Sequence, residues 1–139
     1  MIVKRIGDHY FSIPSQAKTG DAGYDLISVE KAIIKVGELK LIPTGFAWEI
    51  APDWVGIIKP RSGMSTIKRL TTDAGVIDSS YRGQVFVALV NNGPAPQLVE
   101  AGERIAQMVV VPHYSGRLIE EKSLTDTARN TDGFGSTGE

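Results

Sequence analysis

The segment AGVIDSSYRGQVFVALVNNG, residues 74–93, combines an acid, an aromatic side chain and turn-forming residues in one short run. Residues 75–77 read as a short extended arm, Ser79-Ser80 as a turn, and the apolar run that follows as a return strand, which predicts a β-hairpin. Asp78 then stands at the mouth of the hairpin, with Tyr81 three residues further on. A carboxylate there can activate a water molecule beside a flat ligand. Because aspartate before two serines also forms turns, a purely structural role stays open.

The composition indicates a single domain built of strands. The chain has 139 residues, of which 42% are hydrophobic, and its 15 glycines and 7 prolines are spread between short apolar runs. Glycine and proline at such frequent intervals argue against long helices and predict an all-β class. The net charge is −1, and the lysines and arginines are scattered rather than clustered in a basic stripe. Nucleic acid is therefore not an expected partner, whereas a small anionic ligand is compatible with the sequence.

Several classes of protein are disfavoured by what the sequence lacks. It has no cysteine and only two histidines, far apart, so a disulfide framework, a thiolate metal site and a zinc site are not expected. No apolar run approaches the roughly 20 residues that cross a bilayer, and the N-terminus has no secretory core. We therefore expect a soluble, intracellular, cytoplasmic protein with no membrane partner. The division that we expect is a domain over residues 1–122 and a polar, flexible C-terminal arm over residues 123–139.

The segment PRSGMS, residues 60–65, has the chemistry of a phosphate site. Arg61 can place two donors on phosphate oxygens, Ser62 adds a hydroxyl, and Gly63 lets the main chain approach closely. A short helix over residues 62–70 would point its N-terminus at the same anion. The alternative is a serine-capped helix beside a surface arginine.

Two further polar residues interrupt segments that read as strands. Asp25 lies in AGYDL, residues 22–26, where it is either a site carboxylate or a turn carboxylate bonded to backbone amides. Gln107 is the last residue of GERIAQ, residues 102–107, and interrupts an apolar run. It is either a satisfied core amide or a ligand contact. Residues 37–38, Gly-Glu, form a second hairpin signal between two apolar runs.

The chain ends in RNTDGFGSTG, residues 129–138, which cannot build a core of its own. Phe134 is a large apolar side chain with no core to enter. A tail that orders over a ligand would use Phe134 as a stacking plate and Arg129, Ser136 and Thr137 as phosphate donors.

Five segments in this order resemble the motifs of the trimeric dUTPase (dUTP diphosphatase) family: AGYDL, PRSGMS, AGVIDSSYRG, GERIAQ and RNTDGFGSTG. They extend over nearly the whole length. The resemblance implies a jelly-roll-like β-barrel of the dUTPase type, also described as a β-clip, with one short helix. It also implies a homotrimer in which each active site is built from three subunits and closed by the C-terminal arm of one of them.

The resemblance further implies roles for individual residues. Asp78 would be the catalytic base, Tyr81 would pack against the deoxyribose, and the main chain around Gly75 and Ile77 would read uracil. Arg61 would support the site, and the phosphates would meet the following group: Ser62, Gly63, Gln107, Arg129, Ser136 and Thr137. Phe134, with Gly135 beside it, would cap the base.

The implied reaction is hydrolysis of dUTP to dUMP and pyrophosphate by in-line attack of water on the α-phosphorus, which limits uracil in DNA and supplies dUMP. The implied cofactor is Mg²⁺, chelated by the triphosphate and reached by Asp25 through water.

Three departures from the family pattern stand out: Ser80, Asn130 and Thr72, of which Thr72 bears on how the water is positioned. The alternatives are a dCTP deaminase, a nucleotide-dependent regulatory module and a purely structural β-trimer. Deamination is disfavoured because the strand over residues 84–90 offers no acid and Ala88 occupies the place of the general base.

Overall fold

A computed structural model describes residues 1–128 of the chain. Within that range the protein consists of ten strands and one short helix, so the expected all-β class is confirmed. The elements are β1 (Ile2–Arg5), β2 (Gly23–Ile27), β3 (Ala32–Ile34), β4 (Leu39–Glu49), β5 (Trp54–Pro60), α1 (Ser62–Thr66), β6 (Leu70–Asp73), β7 (Val76–Ile77), β8 (Gln84–Asn91), β9 (Gln97–Val99) and β10 (Arg104–Pro112).

The strands form two four-stranded sheets and one two-stranded sheet. The first sheet has the order β1-β4-β8-β6, the second β2-β10-β5-β7, and β3 pairs with β9. The core draws on the alternating side chains of these strands. In β8, for example, Val85, Val87 and Leu89 are buried while Phe86 is exposed. Each large apolar side chain buried in this way contributes about 1.5–3 kcal/mol.

The hairpin predicted over residues 74–93 is wrong, because its two arms lie in different sheets. β7 pairs with β5, placing Ile77 opposite Gly56, whereas β8 pairs with β4 and β6. Ala74 and Gly75 both have positive φ, +57° and +111°, and this turn takes the chain from β6 to the edge of β5. There Gly75 accepts a hydrogen bond of 2.8 Å from the Ile58 amide.

The second hairpin signal, at residues 37–38, marks a turn but not a hairpin. Gly37 has φ +73° and Glu38 donates its amide to the carbonyl of Lys35, yet β3 pairs with β9 and β4 pairs with β8. The buried side chain of Asn91 donates to the carbonyl of Ile34 and so holds the turn against β8.

Within residues 1–128 the last strand ends at Pro112, and residues 112–128 are exposed. No helix in residues 1–128 combines the length and the hydropathy that crossing a membrane requires. The division into residues 1–122 and an arm at 123–139 stays a prediction.

Candidate active site

The central strand of the second sheet brings three sequence segments to one cavity. β10 lies between β2 and β5, so that Gln107 is opposite both Asp25 and Lys59. Arg61 and Ser62 follow β5 directly. The resulting cavity of about 260 Å³, here called the first cavity, is lined by Ala17, Asp21, Ala22, Gly23, Asp25, Arg61, Ser62 and Gln107.

Asp25 is held by two arginines at this cavity. Its Oδ1 accepts a hydrogen bond from Nη1 of Arg61, and its Oδ2 accepts one of 3.3 Å from Nη1 of Arg104. The Asp25 side chain is only 15% exposed. Of the two interpretations left open for Asp25, the turn carboxylate is wrong, because the residue lies inside β2 and its partners are side chains.

Two guanidinium groups around one carboxylate leave an excess positive charge. Burial lowers the pKa of Arg61 from its ordinary value, and the neighbouring charge of Arg104 lowers it further. An arginine keeps its proton under such conditions, so the cluster carries a net charge of about +1. Asp21 adds a further carboxylate to the cavity wall, so it is the guanidinium donors at the edge of the cavity, rather than its total charge, that suit an anionic ligand.

Arg104 was not predicted from the sequence as a site residue. It lies three residues before Gln107 in GERIAQ, but a bulge between Arg104 and Ala106 shifts the register of β10 against β2. Strand alternation in the sequence does not predict that shift. The contact between Arg104 and Asp25 is therefore visible only in the structure.

Gln107 is fixed by its surroundings and lines the first cavity. Its Nε2 donates a hydrogen bond of 3.1 Å to the carbonyl of Pro60. Across the strand pair, a Cβ on Gly23 would lie 3.0 Å from the Gln107 Cβ, so glycine at 23 leaves room for this side chain. The amide is therefore both hydrogen-bonded and available at the cavity wall.

The helix after Arg61 is shorter than predicted. It covers Ser62–Thr66 rather than residues 62–70, and Arg69 ends the segment with a φ of +56°. Arg61 is the N-cap residue and no side chain caps the helix, so the serine-capped alternative is wrong. Gly63 is exposed, and a Cβ built there would meet no atom within 4 Å, while its carbonyl accepts hydrogen bonds from the amides of Ile67 and Lys68.

A second cavity, of about 270 Å³, lies beside the turn after β7. Its lining includes four of the predicted site residues: Gly75, Ile77, Asp78 and Tyr81. Asp78 is exposed. Tyr81 is 43% exposed, and its hydroxyl donates a hydrogen bond of 2.9 Å to the carbonyl of Gln84.

The loop that carries Asp78 and Tyr81 is held by its own hydrogen bonds. The Tyr81 amide donates to the carbonyl of Asp78 at 3.1 Å. Nη1 of Arg82 donates to the carbonyls of Ser79 at 2.6 Å and Tyr81 at 3.0 Å. The loop is thus a braced connection between the two sheets, which places the acid and the ring on the same cavity.

The two cavities share no lining residue, so the predicted site residues within residues 1–128 lie at two separate places on the chain. Ile77 lies opposite Gly56, and Arg61 follows five residues further along the chain. At about 3.3 Å per residue in a strand, Ile77 and Arg61 are about 17 Å apart, and the antiparallel register carries Asp78 one residue further from Arg61, to about 20 Å. Arg129, Phe134, Gly135, Ser136 and Thr137 lie outside the described residues.

A protein built of β-sheets, with an arginine at one cavity and an exposed aspartate beside a tyrosine at another, has groups suited to a nucleotide-binding hydrolase. The family model for dUTPase matches residues 9–138. A deoxyuridine 5′-triphosphate nucleotidohydrolase of Clostridium acetobutylicum is 42% identical over 138 residues, covering 98% of this chain and 94% of that protein. One from Clostridium kluyveri is 41% identical over 140 residues, covering 99% and 97%.

Solved structures agree with the family match. Staphylococcus bacteriophage 80alpha dUTPase with dUpNHpp has a TM-score of 0.89 and 28% identity, covering 99% of this chain and 98% of that one. The chain belongs to the dUTPase family. Its activity is the hydrolysis of dUTP, which decides against the dCTP deaminase alternative.

Proposed function

We propose that each dUTP is bound between copies of this chain, with its base and sugar in the second cavity of one copy and its triphosphate in the first cavity of another. The observation that carries the proposal is the separation of about 20 Å between Asp78 and Arg61, estimated from the strand register. Catalytic groups must come within about 3–3.5 Å of the atoms that react. A homotrimer with three shared sites satisfies that requirement.

The first cavity would hold the triphosphate by charge and by main-chain donors. Arg61 keeps its guanidinium beside Asp25, and the guanidinium donors of the cluster attract the phosphates. The exposed residue Ser62, the main-chain amide of Gly63 and the side-chain amide of Gln107 would add uncharged contacts. Together these groups fix the position of the α-phosphorus.

In the second cavity Asp78 would orient a water molecule and take its proton as the water oxygen attacks the α-phosphorus. The water oxygen bonds to the α-phosphorus on the side opposite the oxygen that bridges to the β-phosphorus. The bond between the α-phosphorus and that bridging oxygen breaks. The products are dUMP and pyrophosphate. The exposure of Asp78 leaves its carboxylate open to water and to a ligand in the cavity.

The same cavity would select the nucleoside. Main-chain groups of Gly75 and Ile77 would pair with uracil, which rejects cytosine because its polar groups would be left unpaired. The Tyr81 ring would pack against the deoxyribose. Phe134 and Gly135 of the arm would cap the base, while Arg129, Ser136 and Thr137 would hold the γ-phosphate.

Magnesium is expected to arrive with the triphosphate rather than in a cage of protein ligands. Residues 1–128 contain no group of three His, Cys, Asp or Glu that could hold a metal ion, and both oxygens of Asp25 contact arginines. Asp25, already paired with two arginines, would reach a hydrated Mg²⁺ through water rather than bind it directly. The ion would supply charge neutralisation on the departing pyrophosphate.

The substrate also suggests where the protein works. A nucleoside triphosphate carries several negative charges and does not cross a bilayer unaided. An enzyme that acts on it belongs with the nucleotide pool, which supports a cytoplasmic location.

Separate ligands test the division between the two cavities. Arg61→Gln should weaken inhibition by inorganic pyrophosphate about tenfold or more and leave inhibition by deoxyuridine unchanged, while Tyr81→Ala should do the reverse. Lys31→Gln, which breaks an exposed ion pair with Glu100 elsewhere on the surface, is the matched control. Equal weakening of both ligands by both variants would contradict the proposal.

A further inference from the structure

The ring of Tyr81 occupies the space that a side chain at residue 83 would fill. A Cβ added to Gly83 would lie 2.6 Å from Cζ and 3.0 Å from Cε2 of Tyr81, and would also overlap the phenolic oxygen. Such separations do not occur between real carbon atoms in a packed protein. The hydroxyl reaches past Gly83 to the carbonyl of Gln84 at 2.9 Å, so the ring lies across the loop.

The backbone does not require glycine at this position. Gly83 is absent from the residues with positive φ in the described part of the chain. Alanine at 83 therefore fits the local backbone conformation. Its methyl group would displace the Tyr81 ring instead. Since Tyr81 is 43% exposed, the ring has room to move while the backbone stays in place.

We propose that Gly83 is a positioning residue for sugar selectivity, because its missing side chain lets the Tyr81 ring lie where it closes the second cavity to a ribose 2′-hydroxyl. The inference rests on the proposed packing of Tyr81 against the deoxyribose. Rejection of an added hydroxyl by shape alone reaches about 10²-fold. Discrimination of that kind depends on where the wall of the cavity lies, and therefore on what holds the ring.

The test is the ratio of kcat/KM for dUTP to that for UTP in Gly83→Ala. We expect the ratio to fall about tenfold, as the displaced ring stops excluding the hydroxyl. The ratio does not depend on how much of the preparation is folded, because both substrates report on the same active molecules. A ratio within twofold of wild type would overturn the inference.

Gly116 provides a matched control. A Cβ there would meet Cε1 of the Tyr114 ring at 2.5 Å. Tyr114 precedes Gly116 by two residues, as Tyr81 precedes Gly83, and Gly116 also has no positive φ. Tyr114 is 81% exposed and does not line the second cavity. Gly116→Ala should therefore displace a tyrosine without changing the dUTP to UTP ratio.

A variant of the ring itself separates this inference from the role on which it rests. Tyr81→Ala should lower the ratio at least as much as Gly83→Ala, and adding Gly83→Ala to it should change nothing further. If Tyr81→Ala keeps the wild-type ratio, the proposed role of Tyr81 fails. If Tyr81→Ala lowers the ratio and Gly83→Ala does not, only the role of Gly83 fails. A further drop in the double variant would also overturn it.

Discussion

Two variants that are each inactive should restore one another if the active site is shared between copies. Arg61→Gln removes the phosphate contact of the first cavity, and Asp78→Asn removes the base of the second. Each loses on the order of 10²-fold or more in turnover by itself. In a mixed oligomer, a site that takes Asp78 from one copy and Arg61 from a neighbour can be intact.

The expected activity follows from random assembly. In an equal mixture, half of the copies supply Asp78 and half supply Arg61, so about one quarter of the sites receive both. The recovered activity should be greatest at equal mixing and fall on either side. A site within a single chain gives no recovery at any ratio, because no copy carries both residues.

The assay is pyrophosphate release from dUTP with magnesium, after the two variants are unfolded together in denaturant and refolded. Wild type and each variant refolded alone serve as controls for the yield. Recovery no greater than the sum of the two variants alone would refute the argument from the strand register and place both residues at one site within a chain.

Three further predictions concern stability, the arginine cluster and the metal. Gly75→Ala should lower the free energy of unfolding by about 1–3 kcal/mol in urea, since its φ is +111°, whereas Ala74→Gly, at φ +57°, should raise it by about 0.5 kcal/mol; equal effects would contradict the strained turn. Arg104→Gln should raise the KM for dUTP about three- to tenfold through the loss of positive charge beside Asp25, and Lys31→Gln should not; equal KM values would remove Arg104 from the phosphate site. Chelation of Mg²⁺ with EDTA should stop turnover and leave the midpoint of thermal unfolding unchanged, because residues 1–128 hold no cluster of metal ligands; a lower midpoint would indicate a structural ion.

The chemical character of each segment was predictable from the sequence, because that character depends on local composition. The long apolar run after Tyr81 forms β8, and the phosphate-like segment at residues 60–65 ends β5 and begins α1. Both assignments depend only on alternation, glycine and proline. The dUTPase resemblance was also visible in five short motifs.

The pairing of the strands was not predictable in the same way, since it depends on contacts between distant residues. The prediction of a hairpin over residues 74–93 was wrong because, after the turn at Ala74 and Gly75, β7 pairs with β5. Arg104 was missed because the bulge in β10 puts it opposite Ile27, from where its side chain reaches Asp25. Neither feature leaves a periodic signal in the sequence.

The most direct test of the mechanism is pyrophosphate release by Asp78→Asn. Wild type should release pyrophosphate from dUTP in preference to dCTP, dTTP and UTP. The variant should keep its dUTP affinity, measured with a non-hydrolysable analogue, and lose about 10²–10⁴-fold in kcat. A variant that turns over dUTP at close to the wild-type rate would show that Asp78 does not activate the water.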